Sequence, residues 1–358
     1  MTVCAIETTR TAPFTIAADG SYAARLAGDG DALYAERWTL AGPEVYAVPL
    51  PLAQPEEADS ELLPLADGRV LIHRRVADRH AFALLYPTGA AAGPRTGELQ
   101  LGGVERQDGV RVSLLPPSPD GRGAFALAAG EGRTTVWQVA SGACGPRRVA
   151  EVPGRCSGGV WLDRTGRLLA LDRELDGTTK AVAVDLERGG EVSPLLQIAE
   201  ASEDRLLLAD PDSGLLLIRS DAPGEPRLGW GVLGSSLPVR FPECLRHRDA
   251  IPFAVQPGQA LMPETCGVAL RLPEGDIALW RPADRHVFRL GAPRGWLGGT
   301  GLWSAQGRLH LPYATPDVPC GIFGLSLPPA PPPPVRLTPE PPQAPRPVPL
   351  QQAPLSRA

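Results

Sequence analysis

The sequence predicts an all-β fold, and two observations lead to this prediction. First, a glycine stands in a turn between two short apolar runs at intervals of 44 to 53 residues, at Gly20, Gly68, Gly121, Gly166, Gly214, Gly258 and Gly307. Second, about ten residues after each of these glycines comes another turn signal, followed by a further apolar run. A period in the forties with a strand–turn–strand pattern is typical of a β-propeller, in which each repeat forms one four-stranded blade. The prediction is therefore a seven-bladed β-propeller.

The repeat is clearest in two hairpins, at residues 160–171 and 302–311, where a strand, a glycine turn and a second strand follow one another. Glycine suits this turn because it adopts a positive φ without steric cost. An aspartate precedes the glycine at Asp19, Asp67 and Asp120, which is typical of hairpin turns. The third strands are predicted, in order, at residues 32–38, 80–86, 134–139, 180–186, 227–233, 268–272 and 322–327.

The two ends of the chain predict how the ring closes. The last repeat lacks a fourth strand, whereas residues 3–7 precede the first repeat and are not needed for it. We expect residues 3–7 to supply the outer strand of the seventh blade and so remove its exposed edges; residues 335–337 are the alternative donor. From residue 328 onward the chain is rich in proline, which fixes φ and lacks the backbone donor. The prediction is a propeller over residues 1–327 and a disordered, proline-rich tail over residues 328–358.

Composition disfavours nucleic-acid binding and a membrane span. The net charge is −5, so no basic surface that would track nucleic acid is expected. The longest apolar runs fall far short of the ~20 residues of a membrane span, and the first residues lack the features of a secretory signal. The cytoplasm is the expected location, with all six cysteines reduced. No zinc-like cysteine spacing occurs and at most three of the five histidines could converge, so we predict no metal and no cofactor.

The blade pattern resembles that of the bacterial seven-bladed propellers of the WD40 and YVTN type over about nine-tenths of the chain. Val136-Trp137-Gln138 and Trp161-Leu162-Asp163 are partial versions of the WD40 signature, whose paired motifs are otherwise absent. The resemblance implies an interaction scaffold more often than an enzyme. Our leading hypothesis is therefore a non-catalytic scaffold that binds protein partners through one propeller face and the tail. The tail carries a PxxP spacing at residues 342–345, followed by Arg346, which suits an aromatic groove in a partner.

The alternative hypothesis is an enzyme of the lyase or hydrolase type, or a small-ligand binder, that acts at the loops of the channel mouth. The most polar of these loops spans residues 244–250. Its His247 would be a general base oriented by Asp249, with Cys156 or Ser157 across the channel as the nucleophile. The other reading of this loop is that its charges are simply solvated.

Arginines and one tryptophan form a second set of candidates. Arg155, Arg246 and Trp296 belong to the predicted channel-mouth loops and would contact a ligand or a partner. On the opposite face, an arginine follows the turn glycine in four repeats, at Arg69, Arg122, Arg167 and Arg308. Around a channel these guanidinium groups would form a partial ring for a carboxylate or phosphate. The other reading is that arginine is the default polar residue of a chain with a single lysine.

Overall fold

The computed structural model describes residues 14–89, 95–141, 145–246, 249–258, 262–304 and 306–327. These residues form antiparallel strands in seven consecutive groups, together with two short 3-10 helices, Glu243–Leu245 and Pro263–Thr265. The predicted closing strand at residues 3–7, its alternative at 335–337, the tail at 328–358 and His247 all lie outside the described residues. Nowhere in the described ranges is a helix long and apolar enough to cross a membrane.

The first three groups are four-stranded sheets whose strands pair in sequence order. Group 1 consists of β1 (Thr15–Ile16), β2 (Tyr22–Ala27), β3 (Tyr34–Thr39) and β4 (Tyr46–Leu50); group 2 of β5 (Glu61–Pro64), β6 (Val70–Val76), β7 (Arg79–Thr88) and β8 (Arg95–Glu105); group 3 of β9 (Arg111–Leu114), β10 (Ala124–Ala129), β11 (Arg133–Ala140) and β12 (Arg147–Pro153).

The remaining groups follow the same antiparallel order. Group 4 consists of β13 (Arg155–Trp161), β14 (Leu168–Leu175), β15 (Thr178–Asp185) and β16 (Glu191–Pro194); group 5 of β17 (Asp204–Ala209), β18 (Leu215–Ser220) and β19 (Arg227–Val232); group 6 of β20 (Ile251–Val255), β21 (Val268–Arg271), β22 (Ile277–Trp280) and β23 (Phe288–Leu290); group 7 of β24 (Leu302–Trp303), β25 (Arg308–Tyr313) and β26 (Gly321–Ser326). Groups 4 and 5 are joined by one parallel bridge, Lys180 to Asp204.

The predicted glycine turns connect the first and second strands of six groups. Their glycines all have positive φ, between 66° and 83°: Gly20, Gly68, Gly121, Gly166, Gly214 and Gly307. Where an aspartate precedes the glycine, its Oδ1 accepts the backbone N–H two residues later, at 3.0 Å from Ser21, Arg69 and Arg122. The predicted third strands of groups 1 to 5 and group 7 coincide with β3, β7, β11, β15, β19 and β26.

The prediction for the sixth repeat is wrong. Gly258 does not close a hairpin; its N–H donates to Asp210 Oδ2 of group 5 at 3.0 Å. The connection from β20 to β21 is long and contains the second 3-10 helix, so residues 268–271 form the second strand of group 6 instead of the third. The hairpin glycine of this group is Gly275, with φ 90°, between β21 and β22.

The hydrophobic core is divided among the interfaces between neighbouring groups. Leu127 of group 3 shares a cluster with Leu171 of group 4, and Leu217 of group 5 shares another with Leu270 of group 6. The other four pairs of neighbours have clusters of the same kind. Second strands such as β10 and β18 are buried on both faces and therefore read as nearly continuous apolar runs.

The last group packs against the first. Phe14 and Trp38, both buried, form a cluster with the partly buried Leu297 of the segment before β24. The rings of Phe14 and Trp38 meet edge to face at 4.9 Å between centroids. The Thr300 hydroxyl donates to the Phe14 carbonyl at 3.0 Å. The series of packed sheets therefore returns to its start.

Candidate functional site

The four arginines that follow turn glycines do not share one environment. Arg69 binds Asp67, with 2.6 Å between Nη2 and Oδ2, and Arg167 binds Asp185, with 3.0 Å between Nε and Oδ1. The Arg167 guanidinium lowers the pKa of Asp185 to about 2. Arg122 and Arg308 are exposed. Two of the four charges are therefore neutralised by carboxylates of the chain itself, which leaves less charge for an external anion.

The candidates of the polar loop and the predicted nucleophile have different contacts. Arg246 is exposed and binds Glu225 and Glu243, at 2.9 and 3.0 Å, and Asp249 is exposed three residues later. Cys156 lies buried on β13, where burial raises the pKa of its thiol. Among the described residues no hydrogen bond or ion pair joins Cys156 to Asp249.

Arg155 lies in a strand, and Trp296 lies in the segment before β24, where it forms an isolated bridge with Tyr313. Arg155 belongs to strand β13, opposite Glu174, and not to a loop as predicted. Trp296 donates its indole N–H to the Thr300 carbonyl at 3.0 Å and lies 5.3 Å from the ring of Phe253. Both contacts hold Trp296 at the junction of groups 6 and 7.

A carboxylate and two imidazoles form a hydrogen-bonded chain in group 2. Glu61 Oε2 lies 2.9 Å from His73 Nδ1, and His73 Nε2 lies 2.9 Å from His80 Nδ1. Both histidines are 5% exposed, and His73 stacks on Phe82 at 5.1 Å between centroids. Burial, together with the charges of His73 and Arg75, lowers the pKa of His80. With both imidazoles neutral, His80 Nδ1 donates to His73 Nε2, and His73 Nδ1 donates to Glu61.

Glu61 also lines a central cavity of about 550 Å³. The first strands β1, β5, β9, β20 and β24 all contribute to its wall. Most of the lining is apolar, including Phe14, Leu63, Leu115, Pro116, Phe253 and Leu302. The Glu61 side chain is 36% exposed, so its carboxylate is only partly buried.

A second concave surface, the outer groove, lies between groups 2 and 3 and has a volume of about 640 Å³. Val104, Val110 and Trp137 give it an apolar floor, and Trp137 is half-buried. Charged side chains form its rim: Glu105, Arg133, Arg148 and Glu151. Arg133 and Arg148 both bind Glu151, at 3.3 and 3.0 Å.

Comparison with known proteins gives the fold and no more than the fold. No family model matches the chain, and no curated protein matches its sequence. An acylaminoacyl peptidase structure superposes with a TM-score of 0.51 at 12% identity, over 88% of this chain and 51% of the peptidase. Prolyl oligopeptidase B from Galerina marginata gives 0.51 at 11% identity, over 89% of this chain and 47% of that chain. The chain thus spans about half the length of these peptidases.

A third similar structure is Sqt1 from Chaetomium thermophilum bound to the N-terminus of ribosomal protein L10, with a TM-score of 0.47 at 12% identity, over 84% of this chain and 81% of that chain. The neighbours are propeller proteins, and the all-β sheets described above agree with them. The fold is of the β-propeller type. Since a shared propeller does not imply a shared function, the function has to be argued from the sites of this chain.

Sequence reasoning missed the best-formed polar group of the propeller. The turn at residues 78–79 was recognised, but not that His80 contacts His73 across the hairpin. The two histidines are not direct cross-strand partners, since His73 faces Phe82 and His80 faces Arg75. Glu61 and His73, in contrast, are directly opposite each other on β5 and β6. Within the described ranges no group of three or more histidine, cysteine, aspartate or glutamate side chains could hold a metal ion.

Proposed function

We propose that this chain is a non-catalytic propeller scaffold that binds an extended peptide segment of a partner protein in the outer groove. The proposal rests on one observation: the apolar floor of the groove includes a tryptophan whose indole N–H donates to no described residue. No acceptor in the described part of the chain receives the indole N–H of Trp137. Tryptophan and arginine, both present here, are the residue types that contribute most at protein interfaces.

The chemistry of the groove favours a proline-containing segment with a basic residue. A proline ring packs on an aromatic face, and an extended backbone presents carbonyl groups that accept from an indole N–H. Glu105 is exposed and makes no ion pair with another described residue, so it is available to a lysine or arginine of the segment. The opposite wall carries two arginines against one glutamate, which disfavours a segment that is basic throughout.

A random-peptide phage library selected on the full-length protein tests this proposal. The enriched peptide is then titrated by fluorescence anisotropy against wild type and against Trp137→Phe, which keeps an aromatic ring and removes the N–H. Loss of one hydrogen bond, about 1 kcal/mol, corresponds to roughly five-fold weaker binding. Tyr46→Ala, which truncates an exposed aromatic on β4, is the matched control and should bind as wild type. No enriched peptide, or equal binding by Trp137→Phe, would contradict the proposal.

The seven groups are proposed to be the seven blades of one ring. Two observations support this: one hydrophobic cluster lies at each junction, including that of groups 7 and 1, and group 7 has three strands in the described residues. We further propose that residues 3–7 supply its fourth strand. Deleting residues 1–10 should then lower the melting temperature strongly, because several backbone hydrogen bonds of ~1 kcal/mol each are lost. An unchanged melting temperature would remove this closure from the proposal.

The proline-rich tail, residues 328–358, is proposed as a second binding element, separate from the propeller of residues 1–327. Its support is the PxxP spacing at residues 342–345 with Arg346 beside it. The proposed location is the cytoplasm. Affinity purification with and without residues 328–358, followed by mass spectrometry, tests the tail: partners that depend on it should disappear on truncation, and an identical set would show that it is a spacer.

A further inference from the structure

The central cavity holds one carboxylate among mainly apolar walls. Its volume of about 550 Å³ lies in the range that accommodates small organic ligands, roughly 300–1,000 Å³. The walls include residues of five different strands, from groups 1, 2, 3, 6 and 7, so the site is built on the sheets and not on a single loop. Glu61 is the ionisable residue of the lining.

One carboxylate oxygen of Glu61 accepts two hydrogen bonds, and the other accepts none from the described residues. Oε2 accepts from the Leu114 backbone N–H at 2.8 Å and from His73 Nδ1 at 2.9 Å. No donor among the described residues reaches Oε1. A carboxylate has about four acceptor sites, so Oε1 keeps its full acceptor capacity.

The histidine pair behind Glu61 fixes the carboxylate in this orientation. His73 is held by stacking on Phe82 and by its bond to His80. The 2.9 Å contact between His73 Nε2 and His80 Nδ1 needs one donor and one acceptor, so the pair carries at most one extra proton while the contact persists. Glu61 therefore keeps a hydrogen-bond donor at Oε2 in every protonation state of the pair that preserves the geometry.

We infer that the central cavity binds a small organic cation, a primary amine with an apolar body, whose ammonium group meets Glu61 Oε1. The ammonium would gain a charge-assisted hydrogen bond, and the body would bury apolar surface against the walls. An anion would be repelled by Glu61. A divalent metal ion would find a single carboxylate, whereas such ions take several oxygen ligands. This site lies apart from the outer groove and does not depend on the peptide proposal.

Three compounds that share one apolar body test the inference. Tryptamine is a cation, tryptophol is its neutral alcohol analogue and indole-3-acetate is an anion. Binding is measured by isothermal titration calorimetry on the full-length protein. We expect tryptamine to bind about ten-fold more tightly than tryptophol, since a hydrogen bond to a charged group is worth roughly twice a neutral one, and indole-3-acetate to bind weakest.

Glu61→Gln is the decisive variant because its amide oxygen still accepts from Leu114 and His73 while the charge is lost. In this variant tryptamine and tryptophol should bind with about equal affinity. The matched control is Asp59→Asn, which removes a carboxylate that is bound to Arg75 on the surface and does not line the cavity. It should keep the wild-type preference. Absence of tryptamine binding at millimolar concentration, or an unchanged preference in Glu61→Gln with an unchanged melting temperature, would overturn the inference.

Discussion

Replacing Asp204 by alanine is expected to lower the free energy of unfolding by about 3–5 kcal/mol. The Asp204 side chain is fully buried at the junction of groups 4 and 5. Its Oδ2 binds the ammonium group of Lys180 at 2.8 Å, and its Oδ1 accepts from the Ser220 hydroxyl at 2.6 Å. The Ile198 backbone N–H also donates to it, at 3.0 Å. Alanine leaves a mostly buried ammonium without its counter-ion and two donors without an acceptor.

Urea unfolding of wild type and Asp204→Ala at pH 7 measures this loss. Glu200→Ala is the matched control, because Glu200 is an exposed carboxylate of the same connection. An exposed position of this kind should change the free energy by less than about 0.5 kcal/mol. If Asp204→Ala lost less than about 1 kcal/mol, the buried ion pair would not be the element that joins groups 4 and 5.

The second large effect is a gain in stability, which is expected when Asp172 is replaced. Asp172 on β14 is 6% exposed, and burial raises the pKa of its carboxyl to about 6, although the Leu206 backbone N–H and Arg205 oppose the rise. The folded state therefore binds the proton more tightly than the unfolded state does. Well below pH 3.8 both states are protonated and Asp172 costs nothing; well above pH 6 the full cost, about 3 kcal/mol, is present. Stability should fall as the pH rises between these values.

Asp172→Asn should remove this loss, since its amide oxygen still accepts from Leu206 without carrying charge. We expect the variant to be more stable than wild type by about 1–3 kcal/mol at pH 7.5, and the difference to shrink toward zero at pH 4. Urea titrations at both pH values measure it. A variant that is less stable than wild type at pH 7.5 would show that the ionised carboxylate is held by favourable interactions and not by a costly burial.

The fold could be predicted from the sequence because its information is local. A hairpin turn that needs positive φ selects glycine, and Gly20, Gly68 and Gly166 therefore mark their turns in the sequence. The prediction for the sixth repeat is wrong because Gly258 makes a contact that is not local. Gly258 looks like a turn glycine, but its N–H donates to Asp210 of the neighbouring group, and the connection to β21 continues through a 3-10 helix.

The candidate sites were not predictable in the same way, because they depend on contacts between strands. Glu61, His73 and His80 lie on three different strands, and their contacts follow from a register set by the turn at Ala77, a non-glycine residue with φ 47°. The sequence indicates Trp137 only as part of an incomplete WD40 signature, whereas the structure packs it against the cluster between groups 2 and 3. Trp137 also borders the outer groove, and its position there depends on where group 2 ends. No pattern in the sequence predicts where group 2 ends.

The central claim is that the last group of strands returns to the first and so encloses the cavity that contains Glu61. A nuclear Overhauser spectrum of methyl-labelled protein tests it most directly. Leu302 of β24 contacts Gly20 of the first hairpin, so cross-peaks between the Leu302 methyl groups and the Gly20 backbone protons are expected. Cross-peaks between Leu302 and His310, its partner within group 7, are the internal reference. The reference peaks without the Gly20 peaks would show an open series of sheets and would contradict the account.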